Sequence, residues 1–179
     1  GEALRALGWP RIGEIGVMPE TEDPAAFVGD QPHSAIANSF RSLKTNLELA
    51  GLGTSFKTLL VTGPAVGEGK STVAHNLALT LAMAQRRVIL VEGDAYRPRP
   101  VYSDRKGLSD LLLEGGKPTD YLTPSSRPNL SVLTAGIKPL EASGILDTRN
   151  LVNILAAFKE MADIIVIDGP PSFVAEALV

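Results

Sequence analysis

The sequence predicts an α/β protein in which a mostly parallel central sheet lies between helices on both faces. Two observations support this three-layer fold class. Short apolar runs alternate with helical patterns along the chain, an order typical of parallel strands joined by crossover helices. Several apolar runs also end in charged or glycine-rich segments. Because ligands bind at the carboxyl ends of parallel strands, these segments mark one edge of the sheet as the functional edge.

The spacing of apolar residues predicts the bounds of each element. Residues 34–50 place Phe40, Leu43 and Leu47 at helical spacing, which indicates an amphipathic helix that ends at Gly51. After this helix, we expect strands at residues 58–62, 88–92, 130–134 and 164–168, and helices at residues 70–84, 108–114 and 148–161. A further short strand is predicted near the start of the chain, at residues 12–17.

Composition divides the chain into a connector and a core. Residues 19–32 are rich in Pro, Asp and Glu, which predicts an exposed connector. We therefore expect residues 1–31 to form an N-terminal strand and linker, and residues 32–179 to form one domain. The segments 96–107 and 116–129 are rich in Pro, Arg, Ser and Gly and are expected to be surface loops near the functional edge.

Charge and residue usage exclude several classes of function. The 179 residues carry 17 basic and 20 acidic side chains, a net charge of -3 that argues against a nucleic-acid partner. The absence of cysteine excludes disulfides, thiolate metal sites and cysteine nucleophiles. No apolar stretch approaches the roughly 20 residues that cross a bilayer, so this segment is expected to be soluble. Because it opens on Gly1 and closes on apolar residues, we interpret the sequence as an excerpt, truncated at its C-terminal end.

The segment VTGPAVGEGKST, residues 61–72, is the strongest functional motif. A phosphate loop of pattern G-x-x-x-x-G-K-[ST] requires glycine at position 64, but this chain has Pro64 there and Gly63 beside it. GEGKST following an apolar strand still predicts a phosphate loop, because backbone N–H groups at the start of a helix bind phosphate oxygens. The residues expected to bind the nucleotide are Gly67, Glu68, Gly69, Lys70, Ser71 and Thr72.

Carboxylates follow two other predicted strands. Glu92 and Asp94 come after the strand VILV, and Asp168 ends the strand IIVI. A cation, a hydroxyl group and three carboxylates therefore converge on one edge, which is what a magnesium–nucleotide site requires. We expect Ser71, Asp94 and Asp168 to arrange the metal, and Lys70 to neutralise the terminal phosphates.

Simpler interpretations exist for several of these residues. Asp168 resembles an ordinary turn residue or cap when taken alone, and Glu92 and Asp94 resemble ordinary loop acids. The phosphate loop in its required strand–helix context favours the functional interpretation. His33 and His75, the two histidines, are interpreted as structural, which argues against histidine-based acid–base chemistry.

Several motifs in order carry a family resemblance. SFRSLKTNL precedes the loop, LLVTGPAVGEGKSTVAHNLA contains it, and VILVEGDAYRP, GLSDLLLEG, NLSVLTAG and ADIIVIDGPP follow. Together they resemble the bacterial tyrosine kinases, phosphate-loop NTPase domains that act with polysaccharide co-polymerases in capsule and exopolysaccharide export. The resemblance implies an ATP- and Mg²⁺-dependent tyrosine autokinase in which Lys70, Asp94 and Glu92 are catalytic. It also implies a place at the cytoplasmic face of the inner membrane, beside a co-polymerase membrane region in cis or as a separate activator.

Three positions depart from the family pattern, two in one helix and one at a strand end. The resemblance implies a Glu and two Arg where this chain has Asn38, Arg41 and Lys44, so the helix 34–50, the possible homo-oligomer interface, is atypical. Glu92 stands where the resemblance implies an Asp, and one added methylene moves the carboxylate by more than about 1 Å, which affects catalytic geometry.

The C-terminal tyrosine cluster implied by the resemblance is expected beyond Val179, because Tyr96, Tyr102 and Tyr121 form no cluster. Two alternative functions stay open at this point. One is a catalytically weak ATP-binding assembly module of the same export machinery. The other is a switch ATPase of the partitioning or septum-positioning kind, although Pro64 stands in the region where those relatives carry an extra lysine.

Overall fold

The computed structural model describes residues 10–51, 56–94, 102, 104–137 and 148–170. These residues form a five-stranded sheet in the order β1-β5-β2-β4-β3. The strands are β1 (Thr58–Val61), β2 (Val88–Glu92), β3 (Leu122–Pro124), β4 (Leu130–Leu133) and β5 (Ile164–Asp168). β3 pairs antiparallel with β4, whereas the other neighbouring strands pair in parallel. The mostly parallel sheet predicted from the alternating pattern is confirmed.

One face of the sheet packs against three helices. They are α1 (Phe27–Asp30), α2 (Ala35–Ala50) and α3 (Lys70–Met83). Phe40 of α2 and Leu77 of α3 share a buried cluster with Leu90 and Val166 of the sheet. α2 begins after Ser34, whose side chain accepts the N–H of Ala37 (3.1 Å) and satisfies one of the donors exposed at a helix start.

The opposite face packs against α4 (Leu108–Glu114) and α5 (Thr148–Met161). Phe158 of α5 belongs there to a second buried cluster, with Ile89 and Ile165 of the sheet. Because side chains alternate along a strand, neighbouring residues Ile89 and Leu90 of β2 belong to different clusters. Helices on both faces confirm the three-layer prediction. No helix in the described part of the chain has the length and hydropathy to span a membrane.

The connector predicted to be exposed is partly buried, which corrects that prediction. Phe27 and Val28 of α1 are 6% and 1% exposed. Asn76 of α3 holds this segment, because its Oδ1 accepts the N–H of Val28 (2.8 Å). Its Nδ2 donates to the carbonyls of Pro24 (2.7 Å) and Thr72 (2.8 Å). The composition of this segment does not reveal α1, because the residue that holds it, Asn76, belongs to α3. The domain boundary at residue 31 stays a prediction.

The strand predicted at residues 12–17 is wrong, because these residues form no strand. Glycines interrupt its apolar alternation, and glycine weakens a strand interior. The side-chain amide of Asn46 donates to the carbonyl of Ile12 (2.7 Å). A Cβ added at Gly13 would lie 2.9 Å from Cδ1 of Leu43, so the segment packs closely against α2 instead of pairing with a strand.

The surface loop predicted at residues 116–129 contains regular structure. It holds a 3-10 helix, Pro118–Tyr121, followed directly by β3. β3 is three residues long and ends in Pro124, a residue that breaks most strands. Proline is tolerated here because β3 is at an edge of the described sheet. Residues 96–101 and 103 of the other predicted loop lie outside the described residues.

Candidate nucleotide-binding site

The predicted phosphate loop joins the end of β1 to the start of α3. Gly67 and Gly69 both have left-handed backbones, with φ of 83° and 82°. Glycine adopts this conformation at little steric cost, unlike other residues. A Cβ added at either position would meet no heavy atom within 4 Å, so the space beside the loop is open. Backbone conformation therefore requires both glycines, and the open space beside them suits a phosphate group.

Two side chains hold the loop in shape. Oε2 of Glu68 accepts the N–H of Ala65 (3.0 Å), and Nζ of Lys70 donates to the carbonyl of Ala65 (2.5 Å). A Cβ added at Gly63 would lie 2.8 Å from the same Oε2. Gly63, the glycine out of register with the strict motif, thus leaves room for the carboxylate that fastens the loop.

A cavity of about 260 Å³ lies against this loop. It is lined by Val66, Gly67, Gly69, Lys70, Ser71, Thr72 and Asp94. The structure therefore brings together all of the predicted nucleotide-binding residues except Glu68, which bonds to the loop backbone. It also places Asp94, predicted from a different strand, in the same lining.

Glu92 and Asp168 lie side by side at the ends of β2 and β5, where they are register partners. The N–H of Gly93 donates to the carbonyl of Asp168 (2.8 Å). A Cβ added at Gly93 would lie 2.9 Å from that oxygen, a distance that real side chains avoid. Glycine at position 93 therefore lets the chain cross the end of β5 and bring Asp94 to the cavity.

Asp168 is 4% exposed, and burial is the largest cause of a pKa raised above its ordinary value. A hydrogen bond from Ser71 and the nearby His75 oppose this rise, whereas Asp94 and Glu92 add to it. Oδ1 of Asp168 is buried and has no hydrogen-bond partner among the described residues. A buried oxygen without a partner is costly, and a bound cation would relieve that cost.

The donor atoms of this site suit magnesium. Ser71, Asp94 and Asp168 offer only oxygen atoms, and Mg²⁺ binds in proteins through one or two carboxylates together with water and substrate phosphates. Within the described ranges, no group of three or more His, Asp or Glu side chains is placed to hold a metal by itself. A metal site completed by phosphate and water agrees with both observations.

Glu92, predicted to be catalytic, is buried and absent from the cavity lining. Its Oε2 accepts the N–H of Ala135 (3.3 Å), and its Oε1 lies 3.3 Å from Nε2 of His75. The interpretation of His75 as merely structural missed this contact. One signal was available, because His75 follows Ser71 by four residues and so shares its face of the helix.

The polar residues of α2 make contacts within their own chain. Nη2 of Arg41 contacts Oδ1 of Asn38, and Nη1 donates to the carbonyl of Pro32 (2.8 Å). Nζ of Lys44 pairs with Glu48 (2.8 Å). The role of this helix in assembly stays a prediction, because contacts inside one chain do not test it.

A glycine-rich loop between a strand and a helix, with a serine beside the carboxylate that ends the neighbouring strand, defines the class of protein. The chain is a phosphate-loop NTPase of the α/β type. No protein-family model matches it. It is 31% identical over 149 residues to CapB of Staphylococcus aureus, which is named as a tyrosine-protein kinase, and the match covers 81% of this chain and 65% of CapB. The chain thus spans slightly less than two thirds of that relative.

Solved structures give the same result. The crystal structure of the chimerical protein CapA2B2 has a TM-score of 0.81 and 30% sequence identity, and the match covers 95% of this chain and 74% of that one. The chain belongs to the bacterial tyrosine kinase family.

A septum site-determining protein, MinD of Pyrococcus horikoshii, is a more distant structural neighbour. It has a TM-score of 0.52 and 24% identity, covers 68% of this chain and 54% of its own, and was solved with Mg-ADP. This likeness shows the shared fold alone.

Proposed function

We propose that this chain is the ATP-binding domain of a protein-tyrosine kinase, which transfers the terminal phosphoryl group of ATP to tyrosine hydroxyls, mainly on its own kind. One observation carries the proposal. The loop amides, Lys70, Ser71 and Asp94 line a single cavity, and Ser71 lies beside the buried Asp168. Membership of the family supports the reaction, and this geometry supports its location.

Each residue of the site has a defined task in this proposal. Lys70 and the loop N–H groups bind the phosphates, and Ser71, Asp94 and Asp168 hold Mg²⁺ when it is bound. The metal supplies neutralisation of the negative charge on the phosphates. Because phosphoryl transfer needs little covalent help from the protein, positioning and charge stabilisation account for most of the catalysis. Asp94 lines the cavity, whereas Glu92 is absent from the cavity lining.

The decisive experiment replaces Lys70 in the full-length protein. Lys70→Ala removes the charge at the phosphates, and we expect phosphotyrosine formation to fall by at least about 100-fold, the usual result of losing one stabilising group. Lys117→Ala is the matched control, because this lysine is exposed and lies outside the cavity lining. Unchanged phosphotyrosine in Lys70→Ala would contradict the proposal.

The position of Glu92 favours a second candidate function. Glu92, predicted to be catalytic, is buried and absent from the cavity lining, as expected for a domain that binds ATP for assembly without catalysis. Stoichiometric ATP binding by the full-length protein, without ATP turnover and without phosphotyrosine, would support this module over the kinase.

We further propose that the domain works at the cytoplasmic face of the inner membrane, together with a polysaccharide co-polymerase in cis or in trans. Family membership is the support for this partner. Fractionation of cells expressing the full-length protein tests it. We expect the kinase in the membrane fraction only when the co-polymerase region is present, and recovery in the cytosol regardless of that region would contradict it.

A further inference from the structure

His75 and Glu92 form a buried polar contact behind the nucleotide cavity. Each side chain is 5% exposed, and Nε2 of His75 lies 3.3 Å from Oε1 of Glu92. Burying a carboxylate is costly unless hydrogen-bond donors or charges compensate. For Glu92, Oε2 accepts the N–H of Ala135, and Oε1 faces Nε2 of His75 at 3.3 Å, a close polar contact that does not meet hydrogen-bond geometry. These two contacts fix the direction of the Glu92 side chain.

The length of Glu92 matters for this contact. The resemblance implies aspartate at this position, and the added methylene carries the carboxylate farther from β2, toward α3. There His75 meets it within the protein interior. The departure at position 92 and the histidine on α3 are therefore two parts of one arrangement.

This contact is one of a pair between α3 and the sheet. Ser71 lies beside Asp168 at the end of β5, and His75, one turn farther along the same face, contacts Glu92 at the end of β2. Asp168 and Glu92 are themselves register partners. The helix that follows the phosphate loop therefore contacts two neighbouring strand ends, one at each of two successive turns.

We infer that His75 is a positioning residue, which through Glu92 fixes the chain that places Asp94 beside the phosphate loop. Asp94 follows Glu92 by two residues, across Gly93, which is bonded to the carbonyl of Asp168. Loss of the His75 contact frees the Glu92 side chain and loosens the carboxylates that hold magnesium. This inference rests on the proposed nucleotide site and assigns no proton transfer to His75.

The test is magnesium-dependent binding of a fluorescent ADP analogue to the full-length protein. Partners that orient metal ligands typically contribute 10–100-fold to metal affinity. We expect His75→Ala to raise the magnesium concentration for half-maximal binding by at least about 10-fold, with little change in binding measured without magnesium. His33→Ala is the matched control, since His33 is the other histidine and is exposed. His75→Gln should restore much of the affinity, because its amide can donate to Glu92.

A double-mutant cycle separates positioning from simple packing. If His75 acts through Glu92, His75→Ala adds little to the loss already caused by Glu92→Ala, because the two changes break the same contact. Multiplicative losses in the double variant would overturn the inference, as would an unchanged magnesium requirement in a folded His75→Ala variant. Absence of magnesium-dependent ADP binding in the wild-type protein would instead overturn the proposed function. In that case the same four proteins, compared by their unfolding midpoints, would still measure the energy of the contact.

Discussion

Two aspartates stand at opposite ends of β5, and they differ in burial, in hydrogen bonding and in the direction of their pKa shifts. Asp163 precedes the strand, where its carboxylate accepts the backbone N–H of Arg87 (2.8 Å) and bonds to Nε (3.2 Å) and Nη2 (2.7 Å) of the same residue. Hydrogen bonds from the Arg87 side chain and backbone lower the pKa of Asp163 to about 2. Asp168 ends the strand, and burial raises its pKa. One carboxylate is partnered at the surface, and the other is buried with Oδ1 unpartnered among the described residues.

The contrast distinguishes a carboxylate whose ionised form stabilises the folded state from a buried carboxylate whose ionised form is costly. A carboxylate with a lowered pKa stabilises the folded state, whereas one with a raised pKa destabilises it when ionised. Proteins tolerate such a cost mainly at functional sites, where a ligand compensates for it. The raised pKa of Asp168 agrees with the proposal that the ligand binds at that end of the sheet.

Asp168→Asn tests the functional end and should have the largest effect on binding. It removes the charge that holds magnesium, so we expect magnesium-dependent binding of ADP to weaken by at least about 100-fold, the upper end of the loss for a residue that only supports a metal ligand. Measurement uses the fluorescent ADP analogue with Asp163→Asn as control. Binding equal to that of the wild type would exclude Asp168 from the metal site.

The same variant has a predicted pH signature. The pKa of Asp168 is raised from 3.8, so the wild-type protein loses stability as pH rises from the ordinary value through the raised one. Asparagine does not titrate. Unfolding midpoints should therefore shift in favour of Asp168→Asn across that window, and a shift in the opposite direction would refute the destabilising role.

Gly93→Ala tests how closely β2 and β5 approach at the functional end. The new Cβ would lie 2.9 Å from the carbonyl of Asp168, and overpacking of this kind costs about 1–3 kcal/mol of unfolding free energy. Denaturant unfolding measures this loss. Gly16→Ala is the control, because a Cβ there would meet nothing within 4 Å. Equal stability of the two variants would mean that the strand ends have room to separate.

Asp163→Asn tests the stabilising end and should have the smallest effect. The pair with Arg87 is exposed, with the arginine side chain 62% and the aspartate 29% accessible, and exposed pairs contribute little. The lowered pKa means that the contribution is complete above the ordinary pKa and disappears as pH falls through about 2. Unfolding midpoints of variant and wild type should thus converge in acid. ADP binding should be unchanged. A loss of binding would mean that the Asp163 end of β5 also contributes to the nucleotide site.

Local signals were sufficient for most of the fold. The spacing of apolar residues predicted α2 and α5 within one residue at each end, and the buried run VILVE predicted β2 without error. A central parallel strand is apolar on both faces and therefore stands out in a sequence. β3 carries a much weaker signal, since it is short and ends in Pro124, and its existence depends on pairing with β4.

The candidate site divides in the same way. Motif spacing predicted Lys70, Ser71 and Asp94, and the structure places them in one cavity. Spacing places His75 on the same face of α3 as Ser71, but its contact with Glu92 depends on how α3 lies over β2, which the local pattern does not encode. The same holds for the role of Gly63, which depends on the Glu68 side chain turning back onto the loop.

Asn76 gives α3 a second structural role. At about 1.5 Å of rise per residue, its amide lies about 9 Å along the helix from Lys70, and it is tied to Pro24 and Val28. One helix therefore carries both the phosphate loop, at its start, and the anchor of the segment that precedes the core.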